Sequence, residues 1–169
     1  DALPELEAPV LAAVAAVKPE GAPMPAFVAA TQAGLAARRF GLPAAYTHAK
    51  AAAAHGGTSY HALQQRIAAA PLADDVRTHA LALLAALARA EAGVHGTAVD
   101  AVHFHELGDW DSLLDVVAAG AIAARLAGAA WTSSPLPRGG GTVRAAHGLL
   151  PVPAPATCAL LTGYRWHDD

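Results

Sequence analysis

The chain has 169 residues, of which 47 are alanine, 54% are apolar and 15% are charged, and its formal net charge is −3. This length and low charged fraction argue against disorder and predict a single domain over residues 1–169, with a thin core of close-packed helices or a small sheet. The charge balance and the absence of an uninterrupted apolar run of ~18 residues argue against nucleic acid and a membrane as partners.

The first half of the chain predicts helices around one hairpin and one loop. Apolar residues recur at helical spacing from Glu5 to Val17, and two apolar runs on either side of Gly34 predict a β-hairpin. The next predicted elements are a flexible His/Ala/Gly loop over 43–60 and a helix over 61–70 that is capped by Thr58 or Ser59. A long helix is then predicted from Asp74 or Asp75 to about Val94, with a C-cap at Gly96.

The second half of the chain predicts strands that alternate with helices. The first two predicted elements are a strand from Val102 to Glu106 and an apolar helix from Ser112 to Ala127. A hairpin is predicted next, in which a strand from Trp131 to Leu136 turns at Gly139–Gly141 and returns over 142–146. The last predicted element is a helix from Ala156 to Leu161 after three prolines. Together these elements predict an α/β fold, with α+β as the alternative, in which a small sheet with hairpins packs against Ala-rich helices.

The single cysteine and the first residue of the chain indicate the cellular compartment of the protein and whether its start is present. A single cysteine, Cys158, excludes an intramolecular disulfide and favours a cytoplasmic protein, and we expect it to be a small core residue. The chain opens on Asp1 without a signal peptide, so we interpret it as a fragment or a chain whose true start is missing. Low charge with exposed Leu and Val favours a homo-oligomer.

The most informative pattern for chemistry combines two histidines with two aspartates. His103 and His105 are two apart in a predicted strand and therefore face the same side, as metal-binding imidazoles would. Asp111 and Asp115 are four apart on the following helix and share a face, and Asp115 would be costly to bury unpaired. The alternative is that Asp109 or Asp111 caps the helix and His103 is an ordinary surface residue.

A second pattern is the glycine run Gly139–Gly141 between Arg138 and Arg144. Backbone amides in such a run can point at an anion, and both arginines can pair with phosphate. The alternative is a simple hairpin turn.

The other histidines are less specific. The 43–60 loop and its flank hold His48, His55 and His61, which resemble a metal-capture segment without the spacing of a closed zinc site. His79 and His95 are expected to be exposed or to complement the dipole of the long helix.

Three long motifs carry a resemblance to a known family. They run from His103 to Asp115, from Ser133 to Val143 and from Ala146 to Thr157. The chain resembles the nickel-insertion protein of lactate racemase maturation, which places these blocks in the same order. The resemblance implies a nickel chelatase of the lyase class that inserts Ni2+ into pyridinium-3,5-bisthiocarboxylic acid mononucleotide, with CTP and a divalent metal such as Mn2+ or Mg2+. It also implies a separate C-terminal domain or subunit as a partner.

The resemblance further implies which residues form the site. Those expected to bind metal are His103, His105, Asp111 and Asp115. Those expected to act in catalysis are His105, Glu106, Asp111 and Asp115. Those expected to bind the nucleotide are Arg138, Gly139, Gly140, Gly141, Arg144 and His147. The alternatives to a chelatase are a non-enzymatic nickel or nucleotide carrier and an assembly protein with a degenerate site.

Overall fold

The computed structural model describes residues 3–44, 46, 57–104, 110–145 and 148–168. The helices are α1 (Glu7–Val17, after a 3-10 turn at Pro4–Leu6), α2 (Tyr60–Ala69), α3 (Asp74–His95), α4 (Trp110–Arg125) and α5 (Pro155–Leu160). The strands are β1 (Ala26–Gln32), β2 (Leu35–Gly41), β3 (Thr58–Ser59), β4 (His103–Phe104), β5 (Leu136–Pro137), β6 (Thr142–Ala145), β7 (Gly148–Pro151) and β8 (Trp166–His167).

The predicted mixed α/β fold is confirmed, with the described strands arranged in two-stranded sheets. Antiparallel pairs join β1 to β2, β3 to β4 and β6 to β7, whereas β5 and β8 run parallel. None of the helices in the described ranges combines the length and apolar character needed to cross a membrane.

The core is helical and lies where α4 packs against α1 and α3, and α2 also packs against α3. A four-residue repeat places five of the six buried side chains of α3 in one stripe, made by Val76, Ala80, Leu84, Ala88 and Ala92. Three of these five residues are alanine, so the helices approach closely. Among the described residues the buried set contains no polar or charged side chain.

The closest approach in the core joins α4 to α3 at Gly120. A Cβ atom on Gly120 would lie 2.8 Å from the Ala80 nitrogen and 2.9 Å from its Cα. Only glycine leaves room for another backbone at this distance. This crossing therefore sets the spacing of the two longest helices.

The β1–β2 hairpin is fastened to α1 by one arginine. The Arg38 guanidinium donates to both carboxylate oxygens of Glu7, at 2.6 and 3.1 Å, and lies 5.2 Å from the centroid of the Phe27 ring. Phe27 packs against Phe40 with ring centroids 4.8 Å apart. The hydrogen bonds from Arg38 lower the pKa of the Glu7 carboxyl from its ordinary value.

Local signals predicted the ends of two helices correctly. The Ser59 Oγ accepts a hydrogen bond from the Ala62 nitrogen at 3.1 Å, which confirms the predicted cap of α2. Gly96 follows α3 with a φ of 63°, the left-handed conformation of a C-cap glycine. The predicted loop over 43–60 extends too far, because β3 and the first residue of α2 occupy its last three positions; residues 45 and 47–56 lie outside the described residues.

The predicted hairpin through the glycine run is wrong. Leu136 and Pro137 pair with Trp166 and His167, while β6 pairs with β7. The predicted strand from Trp131 is also wrong, since only its last residue is in a strand. Pro135 and Pro137 lack backbone N–H groups, so this segment cannot donate a continuous ladder of hydrogen bonds.

Candidate functional site

A cleft of about 620 Å³ is lined by the C-terminal half of α3, Phe104, the β6–β7 pair and α5. Its walls are mainly apolar, and the large apolar side chains that line it are Leu87, Val94, Phe104, Val143, Leu150 and Leu160. Its charged or polar side chains are Glu91, His95, Arg144 and Thr157. An apolar cleft with a few converging polar groups is the usual form of a small-molecule site.

The α3 side of the cleft carries an acid–imidazole pair. Glu91 and His95 are four apart and therefore project from the same face of the helix. The His95 Nε2 lies 3.4 Å from the Glu91 Oε2, and the side chains are 34% and 27% exposed respectively.

The opposite side of the cleft carries Arg144 on β6. In the register of the β6–β7 pair Arg144 is opposite Leu149, and the residue is exposed. Arg144 is therefore available to an anion that enters the cleft from solvent. The predicted nucleotide contact at Arg144 stays a prediction.

The predicted histidine pair is only partly described. His103 is exposed and lies opposite Ser59 in the β3–β4 register, whereas Phe104 is 1% exposed and lines the cleft. Because successive strand residues face opposite sides, His103 points away from the side on which Phe104 lines the cleft. His105 and Glu106 lie outside the described residues.

The predicted aspartates lie together on α4 but do not line the cleft. Asp111 is half-buried in the first turn and Asp115 is exposed one turn later. The cost of burying an unpaired carboxylate does not arise at Asp115, because α4 turns Leu114 and Val117 into the core and Asp115 toward solvent. Asp111 is not the cap, because α4 already begins at Trp110.

Within the described ranges, no three His, Cys, Asp or Glu side chains lie close enough to hold one metal ion. His103, Asp111 and Asp115 are therefore not gathered into a three-ligand site by these residues alone. The complete predicted set also includes His105, so it stays a prediction.

Arg138 and the glycine run occupy a different place from Arg144. The Arg138 Nη2 lies 2.6 Å from the Asp168 Oδ1, and the Gly141 carbonyl accepts from the Val152 nitrogen at 3.0 Å. Gly139 and Gly141 have φ values of 70° and 80°, which favour glycine whether or not an anion binds. This segment connects β5 to β6, and Arg138 already has a carboxylate partner.

The other residues singled out from the sequence have varied outcomes. His61 is exposed and its Nε2 lies 2.8 Å from the Gln65 Nε2. Cys158 is exposed, so its predicted core position is wrong, because α5 covers α3 at the edge of the molecule. His48, His55 and His147 lie outside the described residues.

The sequence interpretation missed the Glu91–His95 pair as a candidate site. Its signal was present, since a carboxylate and an imidazole at four-residue spacing share one helix face. What the spacing alone could not reveal is that the β6–β7 pair and α5 face this end of α3 and enclose a cleft.

Comparison with known proteins gives a consistent set of relatives. The family model described as nickel insertion protein matches residues 9–169. A Nocardioides protein named pyridinium-3,5-bisthiocarboxylic acid mononucleotide nickel insertion protein is 46% identical over 126 residues, which are 75% of this chain and 32% of that relative. A Desulfitobacterium hafniense protein of the same name is 40% identical over 123 residues, 73% of this chain and 31% of the relative.

The chain thus spans about a third of the length of these curated relatives. No solved structure matches it.

Proposed function

The chain belongs to the nickel insertion protein family, and from this premise we propose that it takes part in inserting nickel into pyridinium-3,5-bisthiocarboxylic acid mononucleotide. The proposal is supported by one observation above all: an apolar cleft that holds a carboxylate–imidazole pair on one wall and an arginine on the other. In this proposal nickel and the nucleotide meet in the cleft.

Each group in the cleft suits one part of such a reaction. Imidazole and carboxylate donors bind Ni2+, and sulfur donors such as the two thiocarboxylates of the nucleotide are softer ligands that can take it over. Arg144 can hold the phosphate of the mononucleotide by a charge-assisted hydrogen bond. The apolar walls, which include Val143 and Leu150, suit a flat heterocycle.

We extend the proposal to the remaining predicted residues. We propose that metal is bound by His103, His105, Asp111 and Asp115. We also propose that His105 and Glu106 act in catalysis together with Asp111 and Asp115. This proposal is tested by titrating Ni2+ into the wild-type chain and into the His103→Ala/His105→Ala double variant. Equal nickel affinity in the two proteins contradicts it.

CTP with Mn2+ or Mg2+ as co-reactant, and lactate racemase as the enzyme that uses the product, belong to the same proposal. The cleft supplies Arg144 for a phosphate of CTP. The described residues supply no three-ligand cluster for its divalent ion. We therefore propose that the ion is held by a residue outside them, such as His105 or Glu106, or by a C-terminal domain or subunit.

The nucleotide contact is tested by changing Arg144. We expect Arg144→Ala to weaken CTP binding about tenfold, because it removes a charge-assisted hydrogen bond. The matched control is Arg39→Ala, which removes an exposed arginine from β2 outside the cleft. If Arg144→Ala binds CTP as tightly as the wild type and the control, the nucleotide does not bind at this wall.

A second candidate function is a carrier that delivers nickel or nucleotide to another subunit. The partly exposed Glu91–His95 pair favours it, because an ion bound there stays accessible from solvent. Incubating the chain with Ni2+, CTP, Mn2+ and the nickel-free nucleotide separates the two functions. Nickelated nucleotide formed by this chain alone contradicts the carrier.

A further inference from the structure

We propose that Glu91 and His95 form a nickel-binding site of their own, which receives the ion in the cleft before it reaches the nucleotide. The identity of the metal rests on the proposed function. The site itself rests on the geometry of two side chains of α3, neither of which belongs to the His103–Asp115 set.

The distance between the two donors fits one bridging ion. With metal–nitrogen and metal–oxygen bonds of about 2.1 Å, donors 3.4 Å apart subtend an angle of about 108° at the metal. Ni2+ with nitrogen and oxygen donors favours angles near 90°, which the pair reaches when the two donors approach each other by about 0.4 Å. The four-residue spacing on a helix is also the spacing by which paired ligands on one helix face bind a metal in known sites.

The position of the pair suits an ion that must be delivered. Both side chains are about one-third exposed, so the ion can enter from solvent and leave again. The sulfur atoms of the nucleotide can take coordination positions of nickel that these two donors leave open.

The surroundings of the pair link metal binding to the nucleotide. Arg144 is the other charged side chain among the described residues that line the cleft, and its positive charge opposes an approaching cation. A phosphate bound at Arg144 removes this repulsion. We therefore expect nickel to bind Glu91 and His95 more tightly when a mononucleotide occupies the cleft.

The test is a calorimetric titration of Ni2+ alone into the full chain and its variants. Glu91→Gln keeps the size of the side chain, and His95→Ala removes the imidazole. We expect each change to lower nickel affinity at least tenfold, and the double variant to bind no more weakly than the weaker single variant, because both residues hold one ion. The matched control, His79→Ala, removes a histidine of the same helix outside the cleft and should leave the affinity unchanged.

The outcomes separate this site from the proposed function. One outcome is that Glu91→Gln and His95→Ala both keep a nickel affinity within twofold of the wild type, whereas His103→Ala/His105→Ala loses affinity. In that case the Glu91–His95 site is wrong and the proposed function stands. If the wild-type chain binds no nickel at millimolar concentration, both fail. Circular dichroism of each variant checks that the fold is retained, and the isosteric Glu91→Gln variant decides the matter if His95→Ala unfolds.

Discussion

The helical core and the C-terminal region of this protein are built in opposite ways. In the core formed by α1–α4, Val14, Leu114 and Val117 are completely buried and two helices touch backbone to backbone at Gly120. In the region from 135 to 168, strands are two to four residues long and Leu149 is 64% exposed. The cleft lies where the two regions meet. A closely packed helix thus presents Glu91 and His95, while a loosely packed wall presents Arg144.

The largest expected effect comes from removing a core side chain. Leu114→Ala should lower the free energy of unfolding by about 3 kcal/mol, because it deletes buried contacts and leaves a cavity. The same substitution at the exposed Leu149 of β7 should change it by less than about 0.5 kcal/mol. Chemical denaturation of both variants measures this contrast. Similar losses at the two positions would show that the C-terminal region is as tightly packed as the core.

A smaller effect is expected at the helix crossing. Gly120→Ala should destabilise the protein by about 1–3 kcal/mol, because its new Cβ would overlap the backbone of Ala80. Gly93→Ala is the matched control, since Gly93 is a helical glycine of α3 with no atom within 4 Å of an added Cβ. This control should stabilise the protein by about 0.5–1 kcal/mol through helix propensity. Thermal melts that rank the two variants in the reverse order would contradict the close approach.

The smallest effect concerns the hairpin that borders the core. Because Arg38 lowers the pKa of Glu7 in the folded protein, the stability from this pair is present above the ordinary glutamate value of 4.5 and is lost as the pH falls through the lower folded pKa. Titration of the Glu7 carboxyl by NMR should give a pKa below 4.5, and Arg38→Gln should move it back toward that value. An unchanged pKa in Arg38→Gln would mean that the pair is not formed in solution.

The contrast between the two regions also explains which elements the sequence could predict. Helix α3 is long and carries an apolar stripe, a first turn with Asp74 and Asp75 and a C-cap at Gly96, so several independent signals agree. The β1–β2 hairpin was likewise predicted by apolar runs on either side of Gly34. Such local signals suffice where each element is regular.

The β5–β8 pair of the C-terminal region could not be predicted because its two strands are far apart in sequence. Nothing near Leu136 indicates that it pairs with Trp166, thirty residues later, rather than with the strand after the glycines. The candidate site likewise depends on elements that are far apart in sequence. Arg144 could be proposed from its own motif, but Glu91 and His95 gained their interest only when the β6–β7 pair and α5 were found opposite the end of α3.

The central claim is that nickel binds in the cleft between these two regions. Crystals of the full chain grown with Ni2+, with diffraction data collected at the nickel absorption edge, would locate the ion directly. The account predicts an anomalous peak between the His95 Nε2 and the Glu91 Oε2, on the wall facing Arg144. No ordered nickel in the cleft, at a concentration well above the measured dissociation constant, would contradict it.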